Sequence, residues 1–130
     1  MIICDFVRVD QGVFQIIGGG VQNLFAPGFP AAHNLGVAVR LVMEDSDWGR
    51  SHRCSLGLID ENGAKASDVT FEFTPARPPN PLPGLPQTAG LPLNVPLSFP
   101  HEGLYTVVFT LDGETLQTSP LLATSRSPEQ

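Results

Sequence analysis

The chain has 130 residues, 42% hydrophobic and 15% charged, with a formal net charge of −6. Nucleic-acid binding draws most of its affinity from phosphate neutralisation, and the seven basic residues lie scattered from Arg8 to Arg126. Nucleic acid and anionic membrane surfaces are therefore not expected as partners.

No run approaches the roughly 18 consecutive apolar residues of a membrane span. A chain of this length is most simply one domain burying roughly two-thirds of its unfolded surface, without metal or disulfide staples. The boundaries expected are a domain over residues 1–124 and a flexible polar tail over 125–130. Glycine and proline contribute 13 residues each, which weakens helices and favours short strands joined by turns.

Residues 1–9 read as a strand with Ile2, Cys4 and Phe6 on one face and Ile3, Val7 and Val9 on the other. Apolar residues on both faces predict a strand covered on both sides, or one whose outer face meets a partner. With Asp5 and Arg8 in its first eight residues, this start lacks the basic n-region and long apolar core of a secretory signal. A cytoplasmic location follows as the expectation, with Cys4 and Cys54 as reduced thiols acting as small buried hydrophobes. Asp5 lies inside an apolar strand, where a carboxylate must pair, for instance with Arg40, or face water at an edge.

A turn at Asp10-Gln11-Gly12 leads to a returning strand, Val13 to Ile17. The run Gly18-Gly19-Gly20 then predicts a bend or bulge, with a short strand over Val21 to Phe25 beyond it. From Asn34 to Met43, Leu35, Val37, Val39 and Leu41 alternate with Gly36, Ala38, Arg40 and Val42. One face is thus large and apolar and the other small and mixed.

After the acidic loop Glu44 to Gly49, a strand over His52 to Ile59 places Cys54, Leu56 and Leu58 on one face. Asn62-Gly63 offers a hairpin turn before Val69, Phe71 and Phe73. Residues 75–100 hold nine of the 13 prolines. They predict an extended crossover between sheets, ending in an edge strand over Leu91 to Phe99.

His101 to Ala123 reads as a closing hairpin around Asp112-Gly113, the dipeptide of type I′ turns. A two-residue turn sets Phe109 opposite Leu116, with Tyr105, Val107 and Leu111 on the same face. Thr110 then meets Thr115, Val108 meets Gln117 and Thr106 meets Ser119 on the other. Tyr105, two residues after Gly103, resembles the tyrosine at a sandwich corner. Seven to nine strands with turns at this spacing predict an all-β, antiparallel, immunoglobulin-like β-sandwich.

Each feature with chemical potential has a plainer structural reading. Gly18-Gly19-Gly20 is followed by Val21-Gln22-Asn23 rather than the Lys-Ser/Thr of a phosphate loop, so a strand bend is expected. His52 and Cys54 share a strand face and, with Cys4 or His33, would make three or four zinc ligands. No CxxC or HxxxH pair accompanies them, so Cys54 is expected in the core, His52 at the exposed strand end, and no metal. Glu44, Asp45 and Asp47 lack the spaced pattern of a calcium loop and read as a solvated turn. PxxP spacing at Pro75/Pro78 and Pro83/Pro86 would suit an adaptor groove, and a crossover loop explains it equally well. No nucleophile elbow or second carboxylate at catalytic spacing is present, so no catalytic residue and no cofactor are assigned.

Four stretches together resemble a family of small, uncharacterised bacterial β-sandwich proteins described as a domain of unknown function. They are CDFVRVDQGVFQIIGGGVQNLFAP, LGVAVRL, LGLIDENGAKA and PHEGLYTVVFTLDGETL. The resemblance implies a bacterial cytoplasmic sandwich and leaves function open. Two function classes follow. The first is a non-enzymatic protein-binding or assembly module, acting through a protein partner or self-association. The second is a small-molecule or carbohydrate-binding sandwich whose end loops build a site around Asp47, Trp48, Arg50 and His52.

Overall fold

The structure is a computed structural model that describes residues 1–11, 13–77, 84 and 87–125. It is all-β, and ten strands run through the described residues. They are β1 (Ile2–Cys4), β2 (Phe6–Asp10), β3 (Val13–Ile17), β4 (Asn23–Phe25), β5 (Ala31–Val42), β6 (His52–Asp60), β7 (Lys65–Phe73), β8 (Thr88–Phe99), β9 (Gly103–Leu111) and β10 (Glu114–Thr124).

The strongest alternation in the sequence lies at the centre of one sheet. β5 pairs antiparallel with β1 on one side and β8 on the other, with Leu35 opposite Val95, Val37 opposite Leu93 and Val39 opposite Leu91. These side chains share one core with Cys54, Leu56 and Leu58 of β6, Tyr105, Val107 and Phe109 of β9, and Leu121 and Ala123 of β10. Each buried Leu, Val or Phe contributes about 1.5–3 kcal/mol relative to leaving it in water. The second sheet, in the order β4-β10-β9-β6-β7, supplies the other wall of that core. It is mixed rather than wholly antiparallel, because β4 runs parallel to β10.

The small outer face of β5 has its own cover. The β2–β3 hairpin forms a separate two-stranded sheet, and its Val7 packs with Cys4 and Ala38 in a second cluster flanked by Phe14 and Ile16. A Cβ at Gly36 would come within 3.0 Å of the Cys4 carbonyl and the Phe6 amide, and one at Gly90 within 3.2 Å of Phe14. Small residues on the outer face thus let the hairpin approach. This arrangement buries Ile3 of β1 in the main core and Cys4 beneath the hairpin, while Ile2 remains 45% exposed.

Several expectations need correcting. Residues 1–9 are two strands in different sheets, broken at Asp5, and the strand total is ten rather than the seven to nine expected. Of the two alternatives for Asp5, it takes the exposed one at that bend rather than pairing with Arg40, whose guanidinium lies 5.1 Å over the Phe14 ring and donates to Thr88 Oγ1. The closing hairpin turns at Asp112-Gly113 with both residues at positive φ, as type I′ requires. Thr110 faces Thr115 as expected, but a bulge at Leu116 then shifts the register by one. Phe109 lies opposite Gln117, Val108 opposite Thr118 and Thr106 opposite Pro120. The shift is driven by burial: it sets Leu121 beside Tyr105 in the core and leaves Leu116 38% exposed.

The edge strand of the crossover is longer than expected, Thr88–Phe99, and pairs with β5 throughout. The glycine run is a bend, with Gly18 and Gly20 at positive φ and the amides of Gly20 and Val21 both donating to Ile3 O. Gly12, the prolines 78, 79, 81, 83 and 86, and the tail residues 126–130 lie outside the described residues, and with them part of the proposed PxxP pairs.

Candidate functional site

The loop between β5 and β6 carries Asp47, Trp48 and Arg50 of the expected ligand site, and His52 opens β6 directly after it. Glu44 and Asp47 close a single 3-10 turn over Asp45–Asp47: the Glu44 amide donates to Asp47 Oδ2 at 2.9 Å and the Asp47 amide to Glu44 O at 3.0 Å. Gly49, at φ 74°, reverses the chain and donates its N–H to Pro75 O at 2.9 Å. Arg77 donates to both the carboxylate and the carbonyl of Asp45 at 3.2 Å, so the acidic turn is tied to the chain leaving β7.

Asp47, Arg50 and His52 are brought together. Arg50 donates to Asp47 Oδ1 at 3.4 Å, and the Asp47 carbonyl accepts from His52 Nε2 at 2.9 Å. Trp48 turns inward and packs against the main core, where its Nε1 is buried without a hydrogen-bond partner among the described residues.

His52 is not at an exposed strand end. It is 1% exposed, and its Nδ1 lies 2.8 Å from Asp112 Oδ2 in the β9–β10 turn. Asp112 is anchored in turn: its Oδ1 accepts from the Arg53 amide at 2.9 Å, and its own amide donates to Arg53 O at 2.7 Å.

A carbonyl and a carboxylate are both acceptors, so only an imidazolium with protons on both nitrogens satisfies the two contacts. The Asp112 hydrogen bond, then that to Asp47 O, holds the His52 pKa above its ordinary value, against the opposing effect of burial. The same bond holds the Asp112 carboxyl below its usual range. With both nitrogens engaged and the ring enclosed, His52 is a clamp between loop and turn rather than a general base or a metal ligand.

The remaining thiol and histidine candidates do not converge with it. Burial pushes the Cys54 thiol up to about 11, so it is not a nucleophile at neutral pH. Cys4, whose pKa burial also raises, lies in the separate cluster beneath the β2–β3 hairpin. Both cysteines are free, and among the described residues no group of three or more ligating side chains could hold a metal. Asp112 was missed as the partner of His52, because its sequence signal is that of a turn residue 60 positions away.

Two apolar surfaces are exposed instead. On the outer face of the β2–β3 hairpin, Phe6 lies opposite Ile17, Arg8 opposite Gln15 and Asp10 opposite Val13. Val13 is 62% and Ile17 65% exposed, and a groove of about 430 Å³ runs beside Phe6, Arg8 and Ile17. Arg8 Nε donates to Gln15 Oε1 on this face. The second surface lies on the five-stranded sheet, where Leu104 and Leu122 pair across β9 and β10 next to Pro120 and a smaller groove.

No curated protein matches the chain. Among solved structures, it is similar to part of a β-glucuronidase from glycoside hydrolase family 2, at a TM-score of 0.45 and 11% identity. That match covers 70% of this chain and spans only 9% of the β-glucuronidase chain. The model of the family of unknown function DUF6941 matches residues 1–124, and the chain belongs to that family.

Proposed function

We propose that the chain is a non-enzymatic protein-binding or assembly module on an immunoglobulin-like β-sandwich, working in the bacterial cytoplasm. One observation carries the functional part: Phe6, Val13 and Ile17 stand exposed together on the outer face of a hairpin whose inner face is already packed. Large apolar residues gathered on one exposed face mark interaction surfaces more often than scattered ones do. The titratable groups at the loop end point the same way, since His52 and Asp112 satisfy each other and hold the scaffold together.

The sandwich type is supported by Tyr105, whose hydroxyl donates to His101 O while accepting from the His101 amide at 3.2 Å. This is the back-bond of a tyrosine corner. The free, buried Cys4 and Cys54 fit a reducing compartment.

Native mass spectrometry on the protein captured gently from its own cells tests the functional reading. A defined oligomer or a stoichiometric protein partner is expected. A strict monomer that brings no protein with it would count against the module.

A second reading keeps a small-molecule or carbohydrate site at the loop end around Asp47, Trp48, Arg50 and His52. Trp48 Nε1, buried without a partner among the described residues, favours it, because a buried donor without an acceptor is costly. Trp48 is the only tryptophan, so its emission reports directly. Unchanged emission across a broad ligand panel would remove the motive for this site.

A further inference from the structure

We propose that two copies of this chain associate by antiparallel pairing of β3 with β3 about a two-fold axis at Gln15, extending each hairpin into one four-stranded sheet. The proposal rests on the assembly reading above and names its partner and its surface.

The ladder geometry identifies which backbone groups are available. Asn94 on β8 reads the backbone of Val7: its Oδ1 accepts from the Val7 amide at 3.0 Å and its Nδ2 donates to Val7 O at 2.7 Å. The N–H and C=O of Val7 therefore point away from β3. In an antiparallel ladder, residues directed toward the neighbour alternate with residues directed away from it. Val7 pairs with Ile16 and Val9 with Phe14, so Phe14 and Ile16 aim their backbone groups out of the opposite edge. Among the described residues, none of the turn, loop or side-chain hydrogen bonds reaches the backbone of either. Asn94 caps the β2 edge at Val7, and among the described residues the β3 edge is open.

The other strand edges are blunted in ways that proteins use against edge-to-edge pairing. β8 carries Pro92 and Pro96, and β7 carries Lys65, Asp68 and Glu72. β4 and β1 are three residues long, and Ile3 of β1 is taken by the amides of Gly20 and Val21. β3 reads VFQII, with no proline and no charge.

The register follows from the same geometry. A two-fold at Gln15 sets Phe14 opposite Ile16 of the second copy, and Ile16 opposite Phe14, so the outward backbone groups meet as hydrogen-bonded pairs. Val13 then faces Ile17 of the second copy on the exposed side, in the non-hydrogen-bonded pairs where side chains come closest. These two residues are the most exposed apolar pair of the hairpin. With no charge on β3, the net charge of −6 on each copy places no like-charge contact inside the strand pairing.

A five-residue strand pair buries less than the roughly 1,200 Å² of a standard stable interface. The expected association is therefore weak, with a dissociation constant of about 10–100 µM.

Sedimentation velocity on the full chain from about 5 µM to about 1 mM brackets that range, with two double variants at the same exposed positions. Val13→Lys with Ile17→Lys opposes lysines twice across the two-fold and weakens dimerisation by about 10-fold or more. Val13→Lys with Ile17→Glu removes the same apolar surface but opposes unlike charges, and keeps dimerisation within about 3-fold of the parent. A parent chain that stays monomeric over the whole range overturns the self-pairing. A dimer that tolerates the double lysine variant, or is lost equally in both variants, overturns this edge and register. Stoichiometric capture of a different protein by a monomeric parent would keep the assembly reading while sinking self-pairing, so the two failures are distinguishable.

Discussion

Replacing His52 with glutamine tests the clamp at the loop end. The ring is 1% exposed and makes two hydrogen bonds, 2.8 Å to the Asp112 carboxylate and 2.9 Å to Asp47 O. A bond between charged groups contributes about 1.5–3 kcal/mol and a bond to a neutral carbonyl about 0.5–1.5 kcal/mol. Glutamine recovers part of the second and little of the first, so the expected loss is about 2–3 kcal/mol at pH 6. For a domain of this size that is about 6–12 °C in Tm.

The pH dependence carries more information than the magnitude. The folded-state pKa of His52 lies above its unfolded value of 6.5, so its contribution is fully present below that pH and declines as pH rises through the folded pKa. The folded pKa of Asp112 lies below 3.8, so its contribution is present above that value and is lost as pH falls through the folded pKa. The stability gap between the parent and His52→Gln is therefore widest between about pH 4 and 6.5 and narrows above it. Urea titrations at closely spaced pH values measure that gap. A gap that is constant from about pH 5 to 9, or that widens with rising pH, would refute the imidazolium clamp.

Three further outcomes follow from packing and backbone geometry. Leu121→Ala, at a fully buried position beside Tyr105, costs about 2–5 kcal/mol, whereas Leu116→Ala at the bulge costs about 0.5 kcal/mol or less; equal losses in thermal melts would contradict the observed register. Gly18→Ala places a Cβ against the Asp5 carboxylate at φ 65° and costs about 1–3 kcal/mol, and pairing it with Asp5→Ala recovers part of that loss; strict additivity in the double-mutant cycle would show that the contact does not matter. Tyr105→Phe removes the hydroxyl that bridges to His101 O and leaves the ring packed edge-on against Phe99, lowering stability by about 1–2 kcal/mol in denaturant melts; an unchanged midpoint would remove the corner from the account.

The alternation at Leu35 to Leu41, at Cys54 to Leu58 and at Tyr105 to Phe109 was legible because period-two patterning records which face of a strand is buried. The Asp112-Gly113 turn was legible because few residues tolerate positive φ at both central positions. The Leu116 bulge was not. Thr115, Leu116 and Gln117 continue either register equally well locally, and only the burial of Leu121 and Ala123 farther along β10 selects one. The split at Asp5 was hidden for a related reason: apolar residues on both sides of it fit one long strand as well as two short ones in separate sheets. At the candidate site, Asp47, Arg50 and His52 lie within six residues of one another, so their grouping was readable from proximity. The buried state of His52 was not, since its partner arrives from 60 residues away.

Sequence alone thus determined the strand content, the main turns and the inward face of most long strands, because these depend on local conformational preference and on side-chain period. Tertiary structure alone decided the parallel docking of β4 on β10, the packing of the β2–β3 hairpin over Gly36 and Ala38, and the pairing of His52 with Asp112. Each joins segments far apart in the chain, where burial and hydrogen-bond satisfaction over the whole core outweigh any local preference.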